Sequence, residues 1–339
     1  MAKRFRVCVI GGGDIGSAHL RGWARVPDAE VVALVEPIPD RLAETGQRFQ
    51  IPHLYANYLD AFDREDVDVV SVCTPACFHG SVACAALEAG KDVLCVKPMA
   101  VRDEDALAMI DAAKKSRRIL AIGFNTRLRW HNLGLIQRFE EGAIGRPVMF
   151  TRTIFQQVRF KLMMQERYGN GGPFVDIGVH AFDLWLNLFG SDVTRVTARA
   201  HTFARHQPEA ASVRDFAPDT GSAIVEFASG DTGVFTVSWG MPRGVDLASE
   251  AGWVAIGPDG YLALDDRWHL RLARRGEPIV EIAPPGTHQI EDDVVDFANR
   301  LREGRPPFAD GVDGRRALQI SLACLRSIET GETVPVTSL

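Results

Sequence analysis

The sequence predicts an α/β chain of two domains: residues 1–125 on a parallel sheet, and residues 126–339 of α+β type on a large, mostly antiparallel sheet. Three observations predict it. A chain of 339 residues is too long for one small core. Residues 1–125 alternate near-continuous Val/Ile/Leu/Cys runs with amphipathic helical stretches, the pattern of parallel strands covered on both faces. Beyond residue 125 the apolar runs follow one another through short turns, as antiparallel strands do.

In the first domain the strands are expected at Phe5–Ile10, Glu30–Glu36, Val67–Thr74, Asp92–Val96 and Ile119–Gly123. Each is short, rich in β-branched residues and bounded by turn signals. Helices are expected at 14–26, 39–49, 79–89 and 103–116; Asp103, Glu104 and Asp105 give the last an acidic first turn that suits the helix dipole. In the second domain a helix over 131–141 stops at Gly142, and residues 147–157 alternate as a half-buried strand. A single helix is expected from 173 to 189, closed by Gly190. Strands follow at 193–203, 221–228, 232–240, 252–257, 261–264, 268–273 and 278–282. Ser229-Gly230-Asp231, Pro258-Asp259-Gly260 and Arg275-Gly276 mark turns between them. Residues 204–218 read as a long excursion or mobile loop, and helices at 289–303 and 311–330 close the chain. Those last helices have the option of packing back on the first domain.

Composition narrows the function classes. The chain is 46% hydrophobic and 24% charged, with a net charge of −6, which gives no basic excess for nucleic acid. No apolar run approaches the ~18 residues of a membrane span, and no targeting segment is visible. The six cysteines fall mostly in apolar runs, which suits reduced thiols in the cytoplasm. Cys73, Cys77 and His79 have a spacing that metal sites use, but they fall in an expected strand and a nucleotide-contacting loop, so no metal is expected.

Gly11-Gly12-Gly13-Asp14-Ile15-Gly16 fits Gly-x-Gly-x-x-Gly between a strand and a helix, the context of a Rossmann dinucleotide site. Gly11 permits the tight turn, Gly13 lets the backbone approach a pyrophosphate, and Gly16 lets helix pack on strand. Asp14 and Ile15 open the helix whose N-terminus would meet the anion. Glu36 lies at the end of the second strand, 20 residues past Gly16, where a carboxylate would hold the adenosine ribose hydroxyls and repel a 2′-phosphate. NAD is therefore favoured; Arg41, turned toward the ribose, would leave NADP open. Thr74, Pro75, His79 and Lys97 complete the expected cofactor contacts.

The chemistry is expected in two places. Asp176 and His180 stand four residues apart, on one face of the expected helix. Val96-Lys97-Pro98 forms a turn where the parallel sheet should end. A base, a carboxylate, a lysine and a nicotinamide site together suit hydride transfer at a carbon bearing a hydroxyl. Each also has a plain structural reading: a helix-start charge, a core histidine and a solvated turn lysine.

With these motifs in order, the chain resembles the oxidoreductase family of glucose–fructose oxidoreductase, inositol 2-dehydrogenase and the rhizopine-catabolism dehydrogenase. The resemblance runs through Val-Ile-Gly-Gly-Gly-Asp-Ile-Gly (9–16), Cys-Thr-Pro-Ala-Cys-Phe-His (73–79), the run to Val-Lys-Pro (86–98) and Gly-Phe-Asn-Thr-Arg (123–127). It continues through Gly-Ala-Ile-Gly-Arg-Pro-Val (142–148), Gly-Gly-Pro-Phe-Val-Asp-Ile-Gly-Val-His-Ala-Phe-Asp (171–183) and Gly-Glu-Thr-Val-Pro-Val (331–336). It implies an open-faced sheet domain and NAD(P)-dependent oxidation of a sugar, inositol, sugar acid or related cyclic alcohol. It also implies a homodimer or homotetramer through the C-terminal sheet. The family's catalytic histidine falls on His180, so the resemblance makes it the acid/base, with Lys97 and Asp176 as its catalytic companions.

Lys97, Arg127, Asp176 and His180 are the expected substrate contacts, with Arg159, Lys161, Arg167 and Tyr168 as weaker candidates. Trp130, Trp185 and Trp239 are expected in the core rather than stacked on a sugar. Two departures from the family pattern stand out. Val96 replaces a common Glu before Lys-Pro, and Ala76 replaces a frequent Asn after Thr-Pro. Two other activities stay open: a redox-neutral enzyme that retains NAD as a glycosidase or sugar oxidoreductase, and a non-catalytic dinucleotide-binding regulator.

Overall fold

The structure, a computed structural model, describes residues 5–63, 66–159, 161–245, 252–265, 268–284, 286 and 289–336. The chain divides into two compact units, Met1–Asn125 with His288–Arg315, and Thr126–Thr287 with Arg316–Leu339.

The first unit carries six parallel strands: β1 (Phe5–Ile10), β2 (Ala29–Val35), β3 (His53–Tyr55), β4 (Val69–Val72), β5 (Asp92–Val96) and β6 (Leu120–Gly123). Their order across the sheet is β3-β2-β1-β4-β5-β6, every pair parallel. The helices are α1 (Asp14–Ala24), α2 (Pro39–Phe49), α3 (Tyr58–Phe62), α4 (His79–Glu88) and α5 (Asp103–Ser116). The strands read as continuous apolar runs because both faces are covered: Val7, Val9, Leu34, Val69 and Leu94 are all nearly inaccessible. β3 and α3 escape the sequence reading because they are too short to show a period.

Helix α9 (Ile290–Glu303) belongs to this unit and closes its core. Val294 packs so near Gly22 of α1 that a Cβ on Gly22 would lie 2.7 Å from the Val294 Cβ. Phe297 meets Trp23 edge-on at 6.4 Å. The helix starts on a capping box between Gln289 and Asp292.

The second unit holds α6 (Trp130–Glu140), β7 (Met149–Gln157), α7 (Gly172–Asp176), α8 (Gly178–Phe189), β8 (Val193–His201), β9 (Thr220–Phe227) and β10 (Thr232–Met241). It continues with β11 (Gly252–Gly257), β12 (Gly260–Leu264), β13 (Leu270–Arg274), β14 (Val280–Ile282) and β15 (Val334–Pro335). The nine strands order as β14-β13-β12-β11-β7-β10-β9-β8-β15, and only the β7·β10 pair is parallel. Helix α10 (Gly311–Thr330) precedes β15. One sheet face buries Phe150, Phe235 and Trp253 against Phe182 and Trp185 of α8. The opposite face leaves Met149, Ile224 and Ile256 exposed.

Two expectations need correction. The single helix expected over 173–189 is two helices, α7 and α8, separated at Ile177. The Ile177 N–H reaches the Pro173 carbonyl and the His180 N–H reaches the Ile177 carbonyl, while Gly178 is held against Phe182 and Phe235. A pattern apolar on every side shows no face change at such a break. The expected loop over 204–218 is ordered: two short turns, Ala204–His206 and Pro208–Ala210, fold Ala204, Ala210 and Val213 over Val158.

Candidate active site

In the first unit the chain leaves β1 toward β2 on one side and β4 on the other, the switch point at which open parallel sheets bind ligands. The expected cofactor residues follow the C-terminal ends of four neighbouring strands. Gly11–Gly16 follows β1, Glu36 follows β2, Thr74 and Pro75 follow β4, and Lys97 follows β5.

The glycine turn shows why each glycine is needed. Gly11 has φ +103°, and a Cβ there would lie 2.6 Å from the Cys73 carbonyl oxygen. At Gly16 a Cβ would run into the Gly11 carbonyl oxygen. At Gly13 a Cβ would meet nothing within 4 Å, so open space lies over the backbone where a phosphate would approach. Gly13 caps α1 without a side-chain hydrogen bond, which leaves the positive helix end, with Asp14 and the exposed Ile15, for an anion.

Glu36 is buried and accepts the Gly12 N–H at 2.8 Å and the Ile38 N–H at 3.1 Å. Arg41, half exposed, donates to it at 3.5 Å. The carboxylate thus braces the glycine turn, a role that its spacing alone does not reveal. Thr74 has a buried hydroxyl with no hydrogen-bond partner. That orphan and the gap over Gly13 fit a dinucleotide: a polar ligand atom for one, a phosphate for the other.

His79 lies at the start of α4, 1% exposed. Its Nδ1 is 2.8 Å from the Pro98 carbonyl and its Nε2 is 2.8 Å from the Thr74 carbonyl. The ring ties the loop after β4 to the turn holding Lys97, so both nitrogens serve the backbone. Among the described residues no three His, Cys, Asp or Glu side chains gather as a metal site.

In the second unit Thr126 and Arg127, of the short turn Asn125–Leu128, are held by α8. The Thr126 hydroxyl lies 3.2 Å from His180 Nδ1, and both residues are buried. Asn132 Nδ2 donates to the Thr126 carbonyl at 2.6 Å. Asp176 is buried at the end of α7 and accepts from Asn170 Nδ2 at 3.3 Å. Asp176 and His180 therefore lie on consecutive helices rather than on one helical face, and Asp176 sits just outside the N-terminus of α8.

Arg127 is paired with α8. Its Nε and Nη2 lie 2.8 and 2.6 Å from the two carboxylate oxygens of Asp183, which is fully buried. Arg159 lies over the Trp239 ring and donates to Gln156, and Arg167 pairs with Glu329. Tyr168 is exposed, and Trp185 and Trp239 are core residues as expected. The sequence reading missed Thr126, Asn132 and Asn170. The Gly-Phe-Asn-Thr-Arg run was the only signal, and it drew attention to its arginine.

Comparison with known proteins gives the same outline. A model described as an oxidoreductase family with an NAD-binding Rossmann fold, GFO/IDH/MocA, matches residues 5–124. The GFO/IDH/MocA C-terminal domain matches residues 134–262. The D-apiose dehydrogenase of Paraburkholderia graminis is 29% identical, with 99% of this chain and 91% of that one covered. The myo-inositol 2-dehydrogenase of Thermotoga maritima is 26% identical, covering 97% and 98%. Among solved structures, the aldose-aldose oxidoreductase of Caulobacter crescentus, complexed with glycerol, is 26% identical. It superposes with a TM-score of 0.84 over 98% of this chain and 100% of that one.

Proposed function

Because the chain belongs to the GFO/IDH/MocA family of NAD-binding oxidoreductases, we propose that it is an NAD-dependent dehydrogenase of a sugar, inositol, sugar acid or related cyclic alcohol, with His180 as its acid/base. The observation that carries the reading is the glycine turn, open over Gly13 and closed at Gly11 and Gly16. Bound NAD⁺ supplies the hydride acceptor. His180 takes the hydroxyl proton as the carbon is oxidised and returns it in reverse, a contribution of ~10²–10⁴ in rate. The Thr126 hydroxyl, 3.2 Å from Nδ1, holds the orientation of the ring. Asp176 orients the substrate hydroxyl, and Lys97 places a cation beside the developing alkoxide.

The test is a spectrophotometric screen of the full chain with NAD⁺ against inositols, aldoses and sugar acids, repeated with His180→Ala. Turnover should fall at least ~10²-fold in the variant with NAD⁺ affinity retained. Equal turnover would remove His180 from the chemistry.

The exposed Met149, Ile224 and Ile256 support a homodimer or homotetramer through the C-terminal sheet. Light scattering of wild type and Ile256→Asp tests this, and a wild-type monomer would reject it. Free cysteines at Cys8, Cys73, Cys77, Cys84, Cys95 and Cys324 suit a reducing compartment and support a cytoplasmic location.

A further inference from the structure

Two side chains from outside the glycine turn hold its middle residue. β1 ends at Ile10 and α1 begins at Asp14, so Gly11, Gly12 and Gly13 make the whole connection. The Gly11 N–H donates to the Val35 carbonyl at 2.8 Å, which ties the start of the turn to β2. The Gly12 N–H donates to Glu36 Oε2 at 2.8 Å. The Gly12 carbonyl accepts from Thr45 Oγ1 at 3.1 Å. Both polar groups of Gly12 are therefore held by side chains, one that follows β2 and one from α2. The two bonds are complementary, because a carboxylate has only acceptors to offer and a hydroxyl supplies the donor.

Thr45 is an unusual residue for its place. The buried residues of α2 are Thr45 and Gly46, and Thr45 is 6% exposed. Threonine is a poor helix former, because the branch at its Cβ loses rotamer freedom against the preceding turn. Inside a helix its hydroxyl commonly turns back to the carbonyl four residues earlier. Here the hydroxyl goes to a carbonyl 33 positions away. A valine would fill the same volume, so the hydroxyl is what distinguishes the residue at this position.

The consequence lies in the next peptide. The carbonyl and N–H of a trans peptide share one plane and point opposite ways, and the Gly12–Gly13 peptide is trans. With the Gly12 carbonyl turned to α2, the Gly13 N–H faces away from α2. Gly13 caps α1 with φ −76° and ψ −164°, and a Cβ there would meet nothing within 4 Å. The N–H groups at a helix start are the ones that anions bind, and Gly13 is the first of them here.

We propose that Thr45 is a positioning residue of the dinucleotide site: its hydroxyl sets the Gly12–Gly13 peptide so that the Gly13 N–H is presented to the pyrophosphate. Thr45 acts through Gly12 rather than by contact with the cofactor. Without the hydroxyl the peptide samples several orientations, and binding has to order it, which lowers affinity. The pyrophosphate is held alike in the ground and transition states, so the loss falls on NAD⁺ affinity and not on the chemical step. The inference rests on the reading of Gly11–Gly16 as the NAD site.

The experiment compares wild type with Thr45→Val, which keeps the shape and removes the hydroxyl, and with Thr45→Ser, which keeps the hydroxyl. The full chains are titrated calorimetrically with NAD⁺ and with ADP-ribose, which carries the same pyrophosphate, and their thermal melting is recorded. In Thr45→Val the Kd of both ligands should rise about tenfold or more, measured where melting shows the variant folded, and in Thr45→Ser it should stay within about threefold of wild type. In turnover assays the KM for NAD⁺ should rise with the Kd in Thr45→Val while kcat stays within about twofold of wild type. A hydroxyl that only supports the fold gives another pattern: Thr45→Val melts lower, yet its folded form binds both ligands as wild type does. That result overturns the proposal, and so does a Thr45→Ser variant as weak as Thr45→Val. Failure of wild type itself to bind either ligand would remove the NAD reading of the turn, and the role of Thr45 with it. If Thr45→Val does not fold, Thr45→Ala takes its place under the same criteria, alanine being the better helix former.

Discussion

Arg127 and Asp183 form a two-pronged ion pair, Nε and Nη2 each on its own carboxylate oxygen at 2.8 and 2.6 Å. The acid is 0% exposed and the guanidinium nearly enclosed. The neighbouring Thr126 meets His180 one turn earlier on the same helix, so consecutive residues of one short turn hold two positions of α8. The pair fixes α8 to the turn that precedes α6.

Breaking that pair leaves a buried charge uncompensated. Asp183→Ala should lower unfolding free energy by about 3–5 kcal/mol, because Arg127 loses both Asp183 oxygens without regaining full hydration. Denaturant titration of the full chain measures this. A loss under about 1 kcal/mol would show that the pair is solvated and that α8 is held by its apolar packing alone.

The glycine turn separates binding from folding. Gly13→Ala meets no atom within 4 Å, so its melting temperature should match wild type while NAD⁺ affinity falls tenfold or more, about 1.4 kcal/mol. Gly16→Ala drives a Cβ into the Gly11 carbonyl and should lose stability and NAD⁺ binding together. Equal melting temperatures for both variants, or unchanged affinity in Gly13→Ala, would contradict the assignment of these positions.

The parallel sheet was legible because buried strands write continuous apolar runs, and the glycine turn because backbone geometry there admits only one residue type. The antiparallel strands were legible from their turn residues. What stayed hidden is tertiary. Nothing local marks Asp183 as the partner of Arg127, 56 positions away. The break at Ile177 is invisible in a segment apolar on all sides. Glu36 was placed correctly at a strand end, but its grip on the Gly12 N–H depends on two loops meeting. Thr45 reads as an ordinary residue of a surface helix until the fold brings its hydroxyl to the Gly12 carbonyl.

The Thr126 hydroxyl, 3.2 Å from His180 Nδ1, bears on the tautomer of the ring. For Nε2 to accept a proton, Nδ1 must donate to the Thr126 oxygen. Thr126→Val removes that acceptor and should lower kcat about tenfold, with the acid limb of the pH–rate profile displaced and KM little changed. Thr126→Ser should restore both. An unaltered pH profile in Thr126→Val would mean that the hydroxyl only packs.

Two of the buried histidines, His19 and His131, lower the protein's stability in acid. Burial lowers the His19 pKa to about 4 against an opposing Glu291 charge, and burial with Arg129 and Arg152 lowers that of His131 to about 3. Both folded-state values lie below the unfolded value of about 6.5, so the unfolded chain binds these protons first as pH falls. Their contribution to stability is full above pH 6.5 and drains away between 6.5 and the folded values, by about 2 kcal/mol each between pH 7 and pH 5. His19→Leu removes one titrating group from an apolar site where its Nδ1 has no partner. Urea titrations at pH 7 and pH 5 should therefore show a smaller loss in the variant than in wild type, by about 2 kcal/mol. Equal losses would mean that His19 is protonated in the folded protein, and would require an acid to reach its ring.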